Sequence, residues 1–356
     1  MGRYRRDLFW DSSDCQKRSV KLTMTSVKPP RILVTGCAGF IGARVCQTLL
    51  SRGHSVVGFD NLNDAYDTRL KWWRLDQFRS SPEFEFQMVD ISDRFSVSGA
   101  FEQTSARGPV SALINLAARA GVRYSVENPW VYYETNVTGT LNLLELCRTR
   151  GISKFVLASS SSLYGKENPL PYREDQNTDA PLSPYAASKK AAETLCYTYH
   201  HLFALDVTVF RYFTVYGPAG RPDMVPFRLA QWISEGRPVV VYGDGTQSRD
   251  FTYVDDIVEG TIAGLRPLGY EVLNLGSDRP VVLMDLIHLV EEMANKPAVL
   301  NYHPPHPADV TATWADIGKA RRLLSWEPQT DLRKGMAALL TWYRQQQNWA
   351  KDIATL

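Results

Sequence analysis

One local pattern constrains this chain more than any other. The apolar run Arg31-Ile32-Leu33-Val34-Thr35 passes directly into Gly36-Cys37-Ala38-Gly39-Phe40-Ile41-Gly42. Ile32 to Thr35 reads as a buried strand and Phe40 to Arg52 as an amphipathic helix. A glycine-rich turn between strand and helix lets the backbone approach a pyrophosphate closely. The helix N-terminus meets that group with free N–H donors and a partial positive charge. The spacing is G-x-x-G-x-x-G, and three glycines alone would also suit an ordinary tight turn. The context adds weight. Gly53-His54 ends the helix, with His54 read as a turn residue, and Ser55 to Phe59 is a second apolar strand. Asp60 closes that strand, 18 residues after Gly42. A carboxylate there accepts hydrogen bonds from ribose hydroxyls and repels a 2′-phosphate, which favours NAD over NADP. Arg69 and Lys71, a little downstream, pull the other way. Gly36, Gly39, Phe40, Ile41, Gly42, Asp60 and Asn61 are therefore candidate cofactor contacts.

Strand and helix patterns continue to alternate. Phe84 to Val89 is a third strand, ending at Asp90-Ile91, where a carboxylate and an apolar side chain can bracket an adenine. Ala112 to Leu116 is a fourth, and the small residues Ala117 and Ala118 let a cofactor lie against the backbone beside Leu116. A helix over Asn136 to Thr149, a strand over Phe155 to Ala158, a helix over Ser183 to Leu202 and a strand over Val207 to Phe210 complete the series. This alternation predicts a doubly wound parallel sheet with its ligand crevice at the carboxyl ends of the strands. After Gly217 the elements are shorter: Pro238 to Val241, Asp255 to Leu265, Glu271 to Leu275 and Leu283 to Met293. The expected division is a polar, disordered extension over 1–29, a mainly dinucleotide-binding unit over 30–216 and a mainly substrate-binding region over 217–356, with the chain crossing back between the two. Met24 is a possible alternative start.

Composition excludes several classes. A formal net charge of +2 carries no nucleic-acid signature, and no apolar run reaches the roughly 18 residues of a membrane span. The first 29 residues lack the apolar segment of a secretory signal. Five cysteines (Cys15, Cys37, Cys46, Cys147, Cys196) have no metal-ligand spacing, so reduced thiols in a cytoplasm and no metal are expected.

The second chemical motif is Tyr185-Ala186-Ala187-Ser188-Lys189, preceded by the cluster Ser159 to Ser162. With Pro184 in the first turn, Tyr185 and Lys189 project from one helix face. A nearby ammonium and a positive nicotinamide both favour phenolate, so the tyrosine pKa is expected to fall from its usual value near 10. Tyr185 then takes a proton from a sugar hydroxyl while the carbinol hydride leaves. A chance Tyr-x-x-x-Lys on a helix surface is common. The serines after a buried strand, at the place where a parallel sheet presents reactive groups, favour the chemical reading.

Taken in order, these motifs resemble the extended short-chain dehydrogenase/reductase family, across about residues 30 to 345. The likeness is specific to its nucleotide-sugar 4-epimerases, and within them to those acting on UDP-glucuronate. It rests on Asp60-Asn61-Leu62-Asn63-Asp64, Ala120-Gly121-Val122-Arg123-Tyr124-Ser125, Ser159-Ser160-Ser161-Ser162-Leu163-Tyr164-Gly165 and Arg211-Tyr212-Phe213-Thr214-Val215-Tyr216-Gly217. Gly220-Arg221-Pro222-Asp223-Met224 and Arg249-Asp250-Phe251-Thr252-Tyr253-Val254-Asp255-Asp256 complete it. The resemblance implies a Rossmann fold, a tightly held NAD regenerated each cycle, a UDP-sugar substrate and a homodimer packed through the helices 136–149 and 183–202. It makes Ser160, Tyr185 and Lys189 the catalytic set and Asn136 the support of the lysine. Ser159, Tyr212 and Val215 join the cofactor contacts. Arg123, Ser161, Ser162, Thr214, Arg221 and Arg249 fall on the substrate side, with Arg249 neutralising the diphosphate rather than pairing with Asp250. Val239, Val241 and Tyr242 line the uridine, and Asp309 holds its ribose. Arg119 replaces a common glutamine, and His306 an arginine of the neutral-sugar enzymes.

Related reactions share the first step. The segment Ser160-Ser161-Ser162-Leu163 has no carboxylate for a 4,6-dehydration. Ser161, Ser162 and Thr214 can hold a uronate carboxylate against decarboxylation. UDP-glucose 4-epimerisation remains the nearest alternative, then a decarboxylase or dehydratase. A non-catalytic NAD-binding regulator is the most distant, because the Tyr-Lys pair is present.

Overall fold

The structure, a computed structural model, describes residues 31–105, 107–305 and 309–355. The expectations for residues 1–29, including Met24 and Cys15, and for His306 lie outside the described residues.

In chain order the elements are β1 (Arg31–Thr35), α1 (Phe40–Ser51), β2 (Val56–Asp60), α2 (Thr68–Asp76), β3 (Phe84–Met88), α3 (Arg94–Ser105) and β4 (Val110–Asn115). Two short helices follow, α4 (Val122–Glu127) and α5 (Trp130–Tyr132), then a π turn (Tyr133–Thr138) leading into α6 (Gly139–Arg150). Next come β5 (Lys154–Ser160), α7 (Pro184–Phe203), β6 (Asp206–Tyr212), β7 (Thr214–Tyr216), α8 (Val225–Glu235), β8 (Pro238–Tyr242) and β9 (Ser248–Tyr253). The chain finishes through α9 (Val254–Ala263), β10 (Tyr270–Leu275), β11 (Pro280–Val282), α10 (Leu283–Ala294), β12 (Val299–His303), α11 (Gly318–Leu324) and α12 (Leu332–Ala350).

Seven strands form a parallel sheet in the order β3-β2-β1-β4-β5-β6-β10. The central strands are apolar on both faces because helices cover both. Along β1, Ile32 and Val34 enter one core while Leu33 enters the other, and β5 divides Val156 and Ala158 from Phe155 and Leu157 in the same way. Strand order reverses between β1 and β4, which opens a crevice at their carboxyl ends. The glycine turn after β1 and the Ala117-Ala118 segment after β4 both border it.

The predicted strand at Glu271–Leu275 is β10, the outer strand of the main sheet. It belongs there because a parallel partner for β6 buries Leu273 and Leu275 in the first core. The chain thus returns to the first core with α9 and β10, and again with α11, between segments that build a third core. This third core unites α8, α10 and α12 with β8 and β9, and the region stands over the crevice. The predicted helix from Asn136 begins as the π turn, with regular α geometry only from Gly139. Among the described residues no helix is long and apolar enough to cross a membrane.

Candidate active site

A cavity of about 1430 Å³ runs along the crevice and under the capping region. At one end the glycine turn forms its floor. Gly36 has φ of +69°, and a Cβ on it would lie 2.7 Å from the Ala117 nitrogen. A Cβ on Gly42 would lie 2.0 Å from the Gly36 carbonyl oxygen. No side chain fits at either position, so the turn stays flat against α1. The N-cap of α1 is Gly39, which offers no side-chain acceptor, and the first turn carries no acidic residue. Its N–H donors are left for an anion. Asp60 ends β2 with its carboxylate holding the turn: Ala38 N–H donates to it at 3.0 Å and Leu62 N–H at 2.8 Å. These features suit a dinucleotide: a turn without side chains, an uncapped helix start and an acid at the end of β2.

Asn61, Asp90, Ile91, Leu116, Ala117 and Ala118 also line this end. Asn61 Nδ2 donates to Asp90 at 2.9 Å. Burial acts to raise the Asp90 carboxyl, but the Ser92 hydroxyl and N–H and the Asn61 amide outweigh it and hold it below the usual range. Arg69 is turned away onto Asp67 at 2.6 Å, whereas the buried Lys71 faces the cavity and donates to Asn63 at 3.1 Å. Of the two cations that oppose the NAD preference, only Lys71 is placed to act. Arg119 also lines the cavity, close enough to influence both Lys71 and Asp90.

The Tyr-Lys pair lies on α7. Ser183 caps that helix through Ala186 N–H, and Pro184 occupies its first turn. Lys189 is buried and donates to the Ala158 carbonyl at 2.7 Å. Burial lowers its pKa to about 8, partly offset by Glu193. Tyr185 receives a hydrogen bond partner in Ser160. Its pKa is raised, not lowered as expected from the sequence: burial is the largest cause, and the Ser160 contact and Arg221 only partly offset it. The tyrosine is therefore a phenol in this state. Asn136 does not reach Lys189 itself. Its amide clamps the Arg119 backbone at 2.8 and 3.0 Å and donates to Ser188 Oγ at 2.9 Å.

Tyr132, which sequence reasoning missed, separates Tyr185 from the cavity. Their rings meet edge to face with centroids 6.0 Å apart, and the Tyr132 hydroxyl donates to the Gly121 carbonyl at 2.9 Å. Arg221 pairs with Asp223 at 2.5 Å and donates to the Ala120 carbonyl at 3.2 Å, completing this wall. Ser160, Ser161, Ser162, Tyr185 and Lys189 accordingly stand behind the cavity lining, not in it.

On the substrate side Arg123, Thr214, Arg221, Val239, Tyr242, Arg249 and Asp309 line the cavity together. Arg123 stacks on Tyr242 at 3.9 Å and pairs with Asp309 at 2.7 Å. Arg249 makes no ion pair among the described residues; it donates to the Ser248 carbonyl at 2.8 Å. The carboxylate of Asp250 is instead taken up by the N–H groups of Ser277, Asp278 and Ala315. Burial lowers the Arg249 pKa, as expected for a cation waiting for an anion. Arg228, a second missed residue, is similar: it lines the cavity, its Nε has no hydrogen-bond partner among the described residues, and burial lowers its pKa. The signal was a lone arginine inside the apolar helix sequence Val225-Pro226-Phe227-Arg228-Leu229-Ala230.

Four candidates turn inward. Ser159, placed at the cofactor by resemblance, follows Phe155 and Leu157 to the α7 face and donates to Glu193 at 2.6 Å. Tyr212 bonds Thr261 at 2.8 Å in the first core, where Val215 is also buried. Val241 packs fully in the third core. Phe40, Ile41 and Gly42 lie in the first turn of α1, just outside the lining. Cys37, Cys46, Cys147 and Cys196 are free and buried, and burial pushes their thiols up. Among the described residues no cluster of His, Cys, Asp and Glu could hold a metal.

Fold and site together define a dinucleotide-binding protein with a tyrosine and a lysine on one helix face beside its crevice. Residues 32–276 match the NAD dependent epimerase/dehydratase family. The chain is 53% identical over 322 residues to a UDP-glucuronate 4-epimerase of Thermodesulfobacterium geofontis, covering 90% of this chain and 98% of that one. It superposes with a TM-score of 0.82 on the UDP-glucuronic acid 4-epimerase of Bacillus cereus in complex with UDP-glucuronic acid and NAD, at 36% identity over 89% of this chain and 99% of that one. The UDP-glucose 4-epimerase of Thermotoga maritima with UDP-glucose gives 0.81 at 29% identity, over 89% and 99%. The chain belongs to the NAD dependent epimerase/dehydratase family.

Proposed function

We propose that this protein is an NAD-dependent 4-epimerase that interconverts UDP-glucuronate and UDP-galacturonate through a 4-keto intermediate. The observation that carries this is the Ser160, Tyr185 and Lys189 set on β5 and α7, next to a crevice shaped for a dinucleotide and a substrate half carrying Arg249 and Arg228, neither in an ion pair among the described residues. The identity to a UDP-glucuronate 4-epimerase supports the choice of substrate.

The cofactor would be held by the turn Gly36 to Gly42, by Asp60, Asn61, Asp90 and Ile91, and by the backbone of Leu116 to Ala118. When bound, NAD supplies a reversible hydride acceptor and a positive ring near the tyrosine. Tyr185 accepts the C4 hydroxyl proton and later returns it. Ser160 shares the hydrogen bond to the same oxygen. Lys189 holds a positive charge on the tyrosine's helix face, which lowers the free energy of the phenolate. Arg249 anchors the diphosphate, with Arg228 contributing a second positive charge, so the sugar can turn while UDP stays fixed. To reach Tyr185 the sugar must pass the wall of Tyr132 and the Arg221–Asp223 pair. Ser161, Ser162 and Thr214 hold the uronate carboxylate. The serine segment offers no carboxylate for dehydration. Incubation with UDP-glucuronate and no added NAD, followed by proton NMR, tests the reading. UDP-galacturonate reaching a constant ratio is the expected result; UDP-xylose would make it a decarboxylase, and conversion of UDP-glucose alone would move it to the neutral sugars.

The protein is proposed to work as a homodimer. Trp130, Tyr133 and Leu141 on the 130–150 segment and Tyr197, Leu202 and Phe203 on α7 are large, apolar and exposed, the composition of a contact surface. Sedimentation should give twice the monomer mass, and Leu141→Arg should shift it toward monomer; a monomeric parent at micromolar concentration would exclude the dimer. The four buried free thiols favour a reducing cytoplasm, which cell fractionation checks.

A further inference from the structure

We propose that Glu193 is a positioning residue of this reaction: its buried carboxylate locks the tyrosine–lysine face of α7 to the end of β5 and sets a negative charge one helical turn from Lys189. The inference rests on the epimerase reading above and extends it to a group outside the cavity.

Tyr185, Lys189 and Glu193 recur every four residues and so share one face of α7. Three successive residues of β5 meet them. The Ala158 carbonyl accepts from Lys189 Nζ at 2.7 Å, Ser159 Oγ donates to Glu193 Oε1 at 2.6 Å, and Ser160 bonds Tyr185. Glu193 is hydrogen-bonded from a third element as well. Arg211 on β6 grips it with Nε on Oε1 at 3.0 Å and Nη2 on Oε2 at 2.8 Å. Arg211 is in turn held by the Tyr164 hydroxyl at 3.1 Å, and Tyr164 by Asn274 at 2.6 Å. Glu193 and Arg211 are both almost wholly buried.

A buried ion pair contributes little to stability compared with apolar residues of the same volume. Its position here has a chemical consequence. Burial works against the ammonium of Lys189, and Glu193 acts in the opposite direction from one turn away. Arg211 binds both carboxylate oxygens and Ser159 shares one of them, which fixes the carboxylate one helical turn from Lys189. The other groups around Lys189 are Tyr185 and Cys196 on its own helix, Cys147 of α6 behind Cys196, and the carbonyl and hydroxyls of β5. Among these, Glu193 supplies the fixed negative charge. A protonated Lys189 is present below its pKa and lost above it, so loss of Glu193 should move the alkaline limb of turnover to lower pH.

The test is Glu193→Gln, which keeps an oxygen for Ser159 and removes the charge. Lys189 is titrated by NMR in the holoprotein labelled with 13Cε-lysine, its signal assigned with Lys189→Arg, and kcat is measured against pH in parallel. The titration and the alkaline limb should both fall by about one pH unit, and Glu193→Asp should restore them. Because Glu193→Gln leaves Arg211 buried without a counter-charge, Glu193→Leu/Arg211→Met provides a folded comparison, expected to shift in the same direction by less. Folded variants in which both readouts match the parent overturn the proposal. If the parent does not epimerise any UDP-sugar, the functional reading fails on its own, and the NMR titration still decides the role of Glu193.

Discussion

Tyr185→Phe is expected to lower kcat by about 10²- to 10⁴-fold, the usual worth of a positioned acid–base group. The substitution removes one oxygen and keeps the ring, so its edge-to-face contact with Tyr132 should persist. Binding of NAD and UDP should therefore change little. The assay pairs initial rates with the cofactor content of the purified protein and calorimetry of UDP binding. A kcat within about threefold of the parent would remove Tyr185 from the proton transfer. The structure sharpens the prediction, because burial leaves this tyrosine a phenol with a raised pKa. Proton acceptance then depends on positive charge brought to it, from Lys189 and from a bound oxidised nicotinamide. The apoprotein should accordingly show no phenolate absorbance from Tyr185 at neutral pH.

Arg249→Leu is the second large effect, with opposite signs for binding and stability. Arg249 is a partly buried guanidinium without an ion pair among the described residues, and burial, with the nearby Arg123, pulls its pKa down. Removing it should leave the free protein as stable as the parent or raise its Tm. Binding should suffer, since breaking a buried charge-assisted contact costs about 2–4 kcal/mol. That cost corresponds to a KM for the UDP-sugar raised by about 30- to 1000-fold. Differential scanning calorimetry without substrate and steady-state kinetics with it check the two halves. A lower Tm with unchanged KM would make Arg249 a structural residue.

The chemistry was more legible in the sequence than its geometry. β1, the glycine turn and α1 could be read because each level agreed: an apolar run, a turn that accommodates no Cβ, then helical periodicity. The assignment of β10 was not legible, since parallel partnership with β6 is a long-range property that a five- or six-residue apolar run does not encode. Ser159 shows the limit of motif transfer. Adjacent serines at the end of β5 meet different residues of one helix face, so Ser159 bonds Glu193 while Ser160 meets Tyr185. Glu193 itself could have been found, because it continues the four-residue spacing of Tyr185 and Lys189. Tyr132 could not: nothing in Trp130-Val131-Tyr132-Tyr133 indicates which aromatic covers the tyrosine. Arg123 and Asp309 were both read as ligand contacts, and their mutual ion pair appears only when α4 is brought against the 309 loop.

The most direct measurement uses UDP-glucuronate deuterated at C4, incubated with the purified protein in ordinary water without added NAD. Removal and return of the same hydride predicts UDP-galacturonate that retains deuterium at C4, with no net change in bound cofactor. Loss of the label to solvent, or formation of product only when NAD is supplied stoichiometrically, would contradict a retained cofactor and a transient 4-keto sugar.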